Sequence, residues 1–255
     1  MKPLTRRWRV WLAWLAAAAF YAVCWRVAQV DLGRLAEGLP KLGHWIASSW
    51  PPDLEELPLF GARIAETVAM AAIGTTVAML LALPMAVLAS RNITPWPALY
   101  YPARWLLNAL RGIDSFVFAL LFVAAVGLGP FAGVIGIGLH TWGSAAKLLA
   151  DHIENMPTGP LDAIRSTGAG RATAILYAVL PEILPVLLSS SLYWLEFNVR
   201  ASTVLGVVGA GGIGLELKNS MDLLDFPRLF TIIVLILIVV TVLDQISGWL
   251  RKRLV

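Results

Sequence analysis

Charge is scarce in this sequence. Only 14% of its 255 residues are Asp, Glu, Lys or Arg, against about 25% in soluble domains, so a large water-solvated domain is excluded. Cysteine occurs once, at Cys24 in an apolar run, and a lone thiol closes no internal disulfide. There are three histidines, and no cluster of His, Cys and carboxylates has metal-ligand spacing. The GxxxxGK[ST] phosphate loop does not occur, and no nucleophile–base arrangement stands out. No internal repeat or low-complexity tract is evident. Nucleotide hydrolysis and metal chemistry therefore have no visible carriers in the chain.

What is abundant is apolar surface. The sequence is 58% hydrophobic, with a mean hydropathy of +0.75. A helix crossing a bilayer needs about 20 mostly apolar residues, and six runs qualify: Val10–Val30, Ile64–Ala89, Trp105–Leu128, Phe131–Ala150, Ile183–Val208 and Arg228–Trp249. Lipid offers the backbone no hydrogen bonds, and long runs without strict alternation satisfy it as helices rather than as a barrel. The expectation is an all-α integral membrane protein with six transmembrane helices. The first run follows a basic start, KPLTRRWR, and is longer than the apolar part of a signal peptide, so it reads as a retained anchor.

Basic residues orient these spans. Thirteen of the 20 Lys and Arg fall on one side, in the N-terminal stretch, residues 90–111, residues 147–171 and the C-terminal tail. Five fall on the other (Arg34, Lys41, Arg63, Lys218 and Arg228), and Arg26 and Arg200 lie within spans. The positive-inside rule then places both termini in the cytoplasm. Residues 31–63 are external, with an interfacial helix near 33–48, Trp45 and Trp50 at the membrane interface, and a turn at Pro51-Pro52. Residues 1–60 are thus an anchor helix with an external interfacial segment, and 61–255 a transmembrane core.

The longest inside loop, 151–182, reads DHIENMPTGPLDAIRSTGAGRATAILYAVLPE. Pro160 suits the first turn of a helix, after a cap at Thr158-Gly159. Asp162 falls where the helix dipole favours an acid, and Gly168 is free to end the helix in a left-handed conformation. A second helical stretch, Arg171–Leu180, follows, and Pro181 re-enters the membrane. The result is a helix–Gly–helix unit, read either as a surface loop or as a rigid pair that docks into a partner's groove.

Residues 204–217, VLGVVGAGGIGLEL, raise a different possibility. Gly209-x-Gly211-x-x-Gly214 matches a dinucleotide-binding fingerprint on paper. That fingerprint needs a βαβ unit and further strands. Only 41 residues follow Gly214, and most form another span, so the dehydrogenase reading fails. Two readings of Gly209, Gly211, Gly212 and Gly214 stay open: tight turning and packing, or an external gate whose exposed backbone N–H groups meet an anion. Within the fifth span, Glu196 and Arg200 are four apart and share a helix face, so they either form a packing ion pair or line a path. Asn198, Ser202 and Thr203 lie nearby as candidates for the same path. His140 reads as a packed core residue, and Asp114 as a partner for Arg111.

Several of these segments resemble a known family. Permease subunits of ABC importers carry a cytoplasmic motif with an acid, two alanines, a glycine six residues after the acid, and a later Leu-Pro. Asp162-Ala163, Gly168 and Leu180-Pro181 match it, with Asp for the usual Glu, Ile164 for the second Ala and Ala178 where Ile is common. The flanks VGLGPFAGVIGIGLHTWGSAAKLLADHIE and YAVLPEILPVLLSSSLYWLEFNVRASTVLGVVGAGGIG look like the phosphonate-transport permease, a group that includes relatives for phosphite, hypophosphite and phosphate. The resemblance covers about residues 60–255; Asp114 stands where it leads one to expect Pro.

It implies a type I importer permease fold. Two permease chains, identical or paralogous, would form the pore in a bacterial inner membrane. A dimer of cytoplasmic ATPase subunits would bind ATP and Mg, with no cofactor held by this chain, and a periplasmic or extracellular protein would deliver the anion. The ATPase-coupling residues it implies are Pro160, Asp162, Ala163, Thr167, Gly168, Ala169, Leu180 and Pro181. An ion-coupled secondary transporter would be expected to show repeats or broken helices around a midplane ion site, and a membrane enzyme would need catalytic groups; neither expectation is met. Nothing points to nucleic acid.

Overall fold

The computed structural model describes residues 5–94 and 96–254, so the first basic residue of the N-terminal stretch, Lys2, lies outside the described residues. All regular structure among the described residues is helical. Two compact units divide at Trp50/Pro51. Residues 51–60, expected with the anchor, belong to the second unit, where the first long helix begins at Leu57.

The first unit holds α1, Thr5–Val27, and α2, Leu32–Ser48. Its apolar α1 side chains lie all around the helix, including Trp11, Trp14, Phe20 and Tyr21, the pattern of a membrane-spanning helix. Asp31 caps α2 by accepting from Gly33 N at 2.9 Å and Arg34 N at 3.2 Å.

The second unit is built on a parallel pair, α3 (Leu57–Leu88) and α6 (Pro130–Asn155). Their register is fixed along the whole length. Gly74 packs on Ile137, Ser90 Oγ donates to Ala150 O at 3.3 Å, and Asn92 Nδ2 donates to Ile153 O at 2.7 Å. Twelve of the 26 residues of α6 are buried, and none is larger than leucine or isoleucine. Small residues are what let membrane helices approach closely, because burial from lipid gives little hydrophobic gain. Gly136 lies against the Ala119 backbone and Gly143 against Leu110 and Arg111, and a side chain at either would overlap them.

The expected third span, Trp105–Leu128, is not one helix. It breaks into α4 (Pro97–Gly112) and α5 (Ser115–Val126), bent by 88°. Asp114 causes the break rather than pairing with Arg111: its backbone is extended (φ −66°, ψ 150°) and its carboxylate accepts from Phe116 N at 2.8 Å. A short acid competes with helix backbone bonds in mid-helix and satisfies them at a cap. Ile113 O, freed by the break, is met by His140 Nδ1 at 2.9 Å.

After α6 come α7 (Gly159–Ser166) and α8 (Arg171–Ala174), then a π-helical turn, Ile175–Val179, that runs on into α9 (Leu180–Leu205). The expected 151–182 loop is therefore mostly helix, irregular only at 156–158 and 167–170. A 3₁₀ turn, Gly206–Val208, and the glycine-rich segment lead to α10 (Ile213–Asp222), which the sequence reading did not separate, and to α11 (Phe226–Leu254). Helices α1 and α3, the 171–208 segment and α11 are each long and apolar enough to cross a membrane; the bent α4–α5 pair makes a fifth. Helix α6 is long enough but less apolar, because it packs against α3, α4, α5 and α9 and sees protein in place of lipid. Six crossings are consistent with this arrangement.

Candidate functional site

The helix–Gly–helix unit is anchored on one side and open on the other. Leu161, 2% exposed, joins a cluster with Ile93, Ile153, Met156, Ala174 and Ala178, and Ile164 packs against it. Pro160, Asp162, Ala163, Thr167 and Gly168 remain exposed, and Ala169 partly so. The expected Thr158 side-chain cap is absent: Thr158 precedes α7 without a side-chain hydrogen bond, and only its carbonyl is used, by Asp162 N at 2.8 Å. Gly168 ends the unit at φ +76°, and its N–H donates to Arg165 O at 3.0 Å. A Cβ there would meet open space, so glycine is required by the backbone conformation and not by crowding.

Leu180 and Pro181 open α9 beyond the π turn. Pro181 has no N–H for Tyr177 O, and its ring crowds that carbonyl, so the ladder widens and Leu180 N reaches back to Ile175 O. Thus α7 joins α8 through the Gly168 turn, and α8 joins the spanning α9 through the π turn.

The polar residues of α9 do not form one lining. Successive residues advance by about 100°, so pairs offset by two positions lie on opposite faces. Asn198 and Ser202 are fully buried. Asn198 Nδ2 donates to Thr75 Oγ1 at 2.8 Å and to Thr141 Oγ1 at 2.9 Å, which ties α9 to α3 and α6. Ser202 Oγ returns to Asn198 O at 2.7 Å, and Thr203 Oγ1 to Arg200 O at 2.7 Å. On the other face, Arg200 Nη2 pairs with Glu196 Oε1 at 3.3 Å, and Arg251 of α11 lies 3.9 Å from Glu196 Oε2. Arg200 is the exposed member, at 57%.

At the far end of α9, Gly209, Gly211 and Gly212 have φ of +91°, +79° and +70°. They make a sharp return that packs α10 against the end of α9. A Cβ on Gly214 would overlap the Thr203 carbonyl oxygen, and one on Gly206 would come within 2.6 Å of Gly211 O. Thr67 of α3 then caps α10, its Oγ1 accepting from Ile213 N at 2.9 Å. Gly129, in the α5–α6 connection, donates to Gly209 O at 2.9 Å.

Beside this return lies an ion network that the sequence reading missed. Buried Glu216 of α10 takes Arg63 Nε of α3 at 3.3 Å and Arg228 Nη2 of α11 at 2.8 Å. Arg63 also meets Glu66 at 2.9 Å, and Arg228 meets Glu56 at 2.7 Å. Its members are up to 172 positions apart in sequence, so no local spacing announces it. An open cleft adjoins the network, lined by Arg63, Glu66, Gly129, Gly209, Gly211 and Lys218. No group of three or more His, Cys, Asp or Glu among the described residues is placed to hold a metal.

Residues 78–255 match the family described as the binding-protein-dependent transport system inner membrane component. Over 250 residues, 98% of this chain and 89% of the other, the sequence is 44% identical to the putative phosphite transport system permease protein HtxC of Stutzerimonas stutzeri. It is 39% identical to the phosphite transport system permease protein PtxC of the same organism, over 90% of this chain and 84% of that one. In fold, it superposes on a chain of the MetNI methionine ABC transporter with a TM-score of 0.68 at 22% identity, covering 80% of this chain and 99% of that chain.

Proposed function

Because the chain belongs to the family of binding-protein-dependent transport inner-membrane components, we propose that it is the permease of an ATP-driven importer for phosphite or a related phosphorus oxyanion. The observation that carries this reading is the similarity to two phosphite permeases across nearly the whole chain. The chain forms the path, and a partner ATPase hydrolyses ATP. The exposed face of α7 with Gly168 is the docking element for that ATPase. Two features support this: Leu161 roots α7 in the bundle, and the π turn passes displacements of the unit directly to α9. This end of the bundle lies in the cytoplasm, by the basic-residue bias, and the glycine return with its ion network faces outward, towards an anion-binding protein. A second permease chain completes the pore.

Transport needs a path that attracts an oxyanion without trapping it. Arg200, half-neutralised by Glu196, fits that requirement; its guanidinium offers paired donors to a phosphorus oxyanion. Asn198 and Ser202 contribute by fixing α9, being turned to the opposite face. The test is uptake by cells co-expressing the chain with its neighbouring ATPase and binding protein, using phosphite, hypophosphite, phosphate and a simple alkylphosphonate in turn. Uptake of one of these, lowered in Arg200→Ala at equal expression, is the expected result. Uptake of none of them in cells that contain the assembled complex contradicts the substrate class.

A further inference from the structure

A second concave site lies between α9 and α11, and nothing in the transport reading uses it. One side of α9, from Pro185 to Trp194, forms its main wall, and Leu148 of α6 and Arg251 of α11 complete it. Its volume is about 420 Å³. Two donors on its lining residues, Trp194 Nε1 and Arg251 Nε, are buried and have no hydrogen-bond partner among the described residues. Buried donors are almost always paired, and an unpaired one is costly.

The indole is held in place. Its ring meets Tyr193, Phe197 and His140 edge-on, at 5.5, 5.6 and 6.2 Å between centroids, so it cannot swing towards another acceptor without breaking those contacts. The charges beside the cleft are balanced. Arg251 lies 3.9 Å from Glu196, Glu196 also pairs with Arg200 at 3.3 Å, and Asp244 of α11 lies within hydrogen-bonding reach of Glu196. Two guanidinium groups thus face two carboxyl groups, which leaves no surplus charge to hold a free oxyanion. Leu148, Pro185 and Val186 add apolar wall. The ligand that fits is a largely apolar molecule that carries acceptor oxygens.

We propose that this cleft holds a phospholipid of the adjoining leaflet. Its ester and phosphate oxygens accept from Trp194 Nε1 and Arg251 Nε, and an acyl chain lies along Leu148, Pro185 and Val186. The level in the membrane fits. Arg251 opens the basic tail of α11, and Trp249 beside it is 54% exposed, with Arg253 stacked over its ring at 4.1 Å. Aromatic and basic residues together mark the membrane–water interface, where lipid esters and phosphates lie. Leu184 and Leu188 of α9 are exposed near the cleft and continue its apolar wall outward. A lipid seated there would tie α9 to α11 beyond the loose Glu196–Arg251 contact. The assignment does not depend on which anion the chain carries.

The test uses the full-length chain in mild detergent supplemented with phosphatidylethanolamine, with any co-purifying ATPase retained. Native mass spectrometry reads the lipid kept per permease chain. The wild type is expected to keep phosphatidylethanolamine. Trp194→Phe, which removes the N–H and keeps a ring, and Arg251→Lys, which removes Nε and keeps the charge, are each expected to lower its retention about fivefold, the effect of one hydrogen bond. Trp249→Phe, outside the cleft, is expected to leave retention unchanged. Thermal midpoints of the variants close to the wild type are expected alongside, which separates lost lipid from lost fold. Equal retention in all four proteins overturns the site. Displacement of the lipid by millimolar phosphite overturns the lipid as occupant in favour of the transported anion. A disulfide between two copies of Ser189→Cys in a Cys24→Ser background shows the cleft to be covered by a second permease chain and overturns the proposal.

Discussion

Two glycines show how differently the same residue is used. Gly168 has a left-handed backbone and open space around it, so alanine there incurs the conformational cost alone, about 1–2 kcal/mol. Gly214 faces the Thr203 carbonyl oxygen, and alanine there has no room at all. Gly168→Ala is therefore expected to give a monodisperse protein in detergent, and Gly214→Ala a poorly folded one. Equal size-exclusion profiles for the two would contradict this account of the return. The Asn198 node has a comparable signature. Asn198→Ala leaves Thr141 without its inter-helix partner and is expected to cost about 1–2 kcal/mol, seen as a lower thermal midpoint in detergent. Asn198→Asp should be worse, because a buried unpaired charge is added. An unchanged midpoint in both would remove the node from the list of fold determinants. Gly168 was readable in the sequence because its role is local; Asn198 was visible only as a polar residue in a span, since Thr75 and Thr141 lie 123 and 57 positions away.

Among the helices, those that the sequence announced carry their signal locally, in a long apolar run or in a helix start and stop. Helix α11 shows a long apolar run and α7 shows a cap-like start, an acid in its first turn and a terminating glycine. What escaped was decided by tertiary contact. Helix α10 owes its position to Thr67 and to the Glu216 network, and α4 and α5 part at Asp114 inside a stretch whose hydropathy reads as one span. The network makes an element-scale prediction. Glu216, with its side chain 7% exposed, holds Arg63 and Arg228 together, whereas Glu66, at 23%, meets Arg63 alone. Glu216→Gln is expected to raise hydrogen exchange across residues 213–222, with a stability loss of about 1–3 kcal/mol. Glu66→Gln should change exchange much less. The reverse ranking would mean that α10 is held by the glycine return and not by charge. By contrast, the Asp31–Arg34 pair, with side chains 49% and 81% exposed, is expected to contribute little.

For the molecule as a whole, the central claim is that one end docks an ATPase and the other receives an anion. The basic-residue bias makes the orientation testable in a Cys24→Ser background, since Cys24 is the sole cysteine. Lys218→Cys is expected to react with a membrane-impermeant maleimide in intact cells, and Asn155→Cys only after the membrane is opened; the opposite pattern would invert every assignment of ends. The measurement that bears most directly on the claim is ATP hydrolysis by the chain with its ATPase and binding protein, reconstituted in lipid, in wild type and Gly168→Val. A β-branched residue resists the left-handed turn, while its Cβ meets no neighbour within the chain, so the permease itself should still fold. The account predicts hydrolysis stimulated by a phosphorus oxyanion in the wild type, with the stimulation lost in Gly168→Val while the complex persists. Equal stimulation in both proteins would contradict it, because the turn at Gly168 would then not carry the motion from ATPase to path.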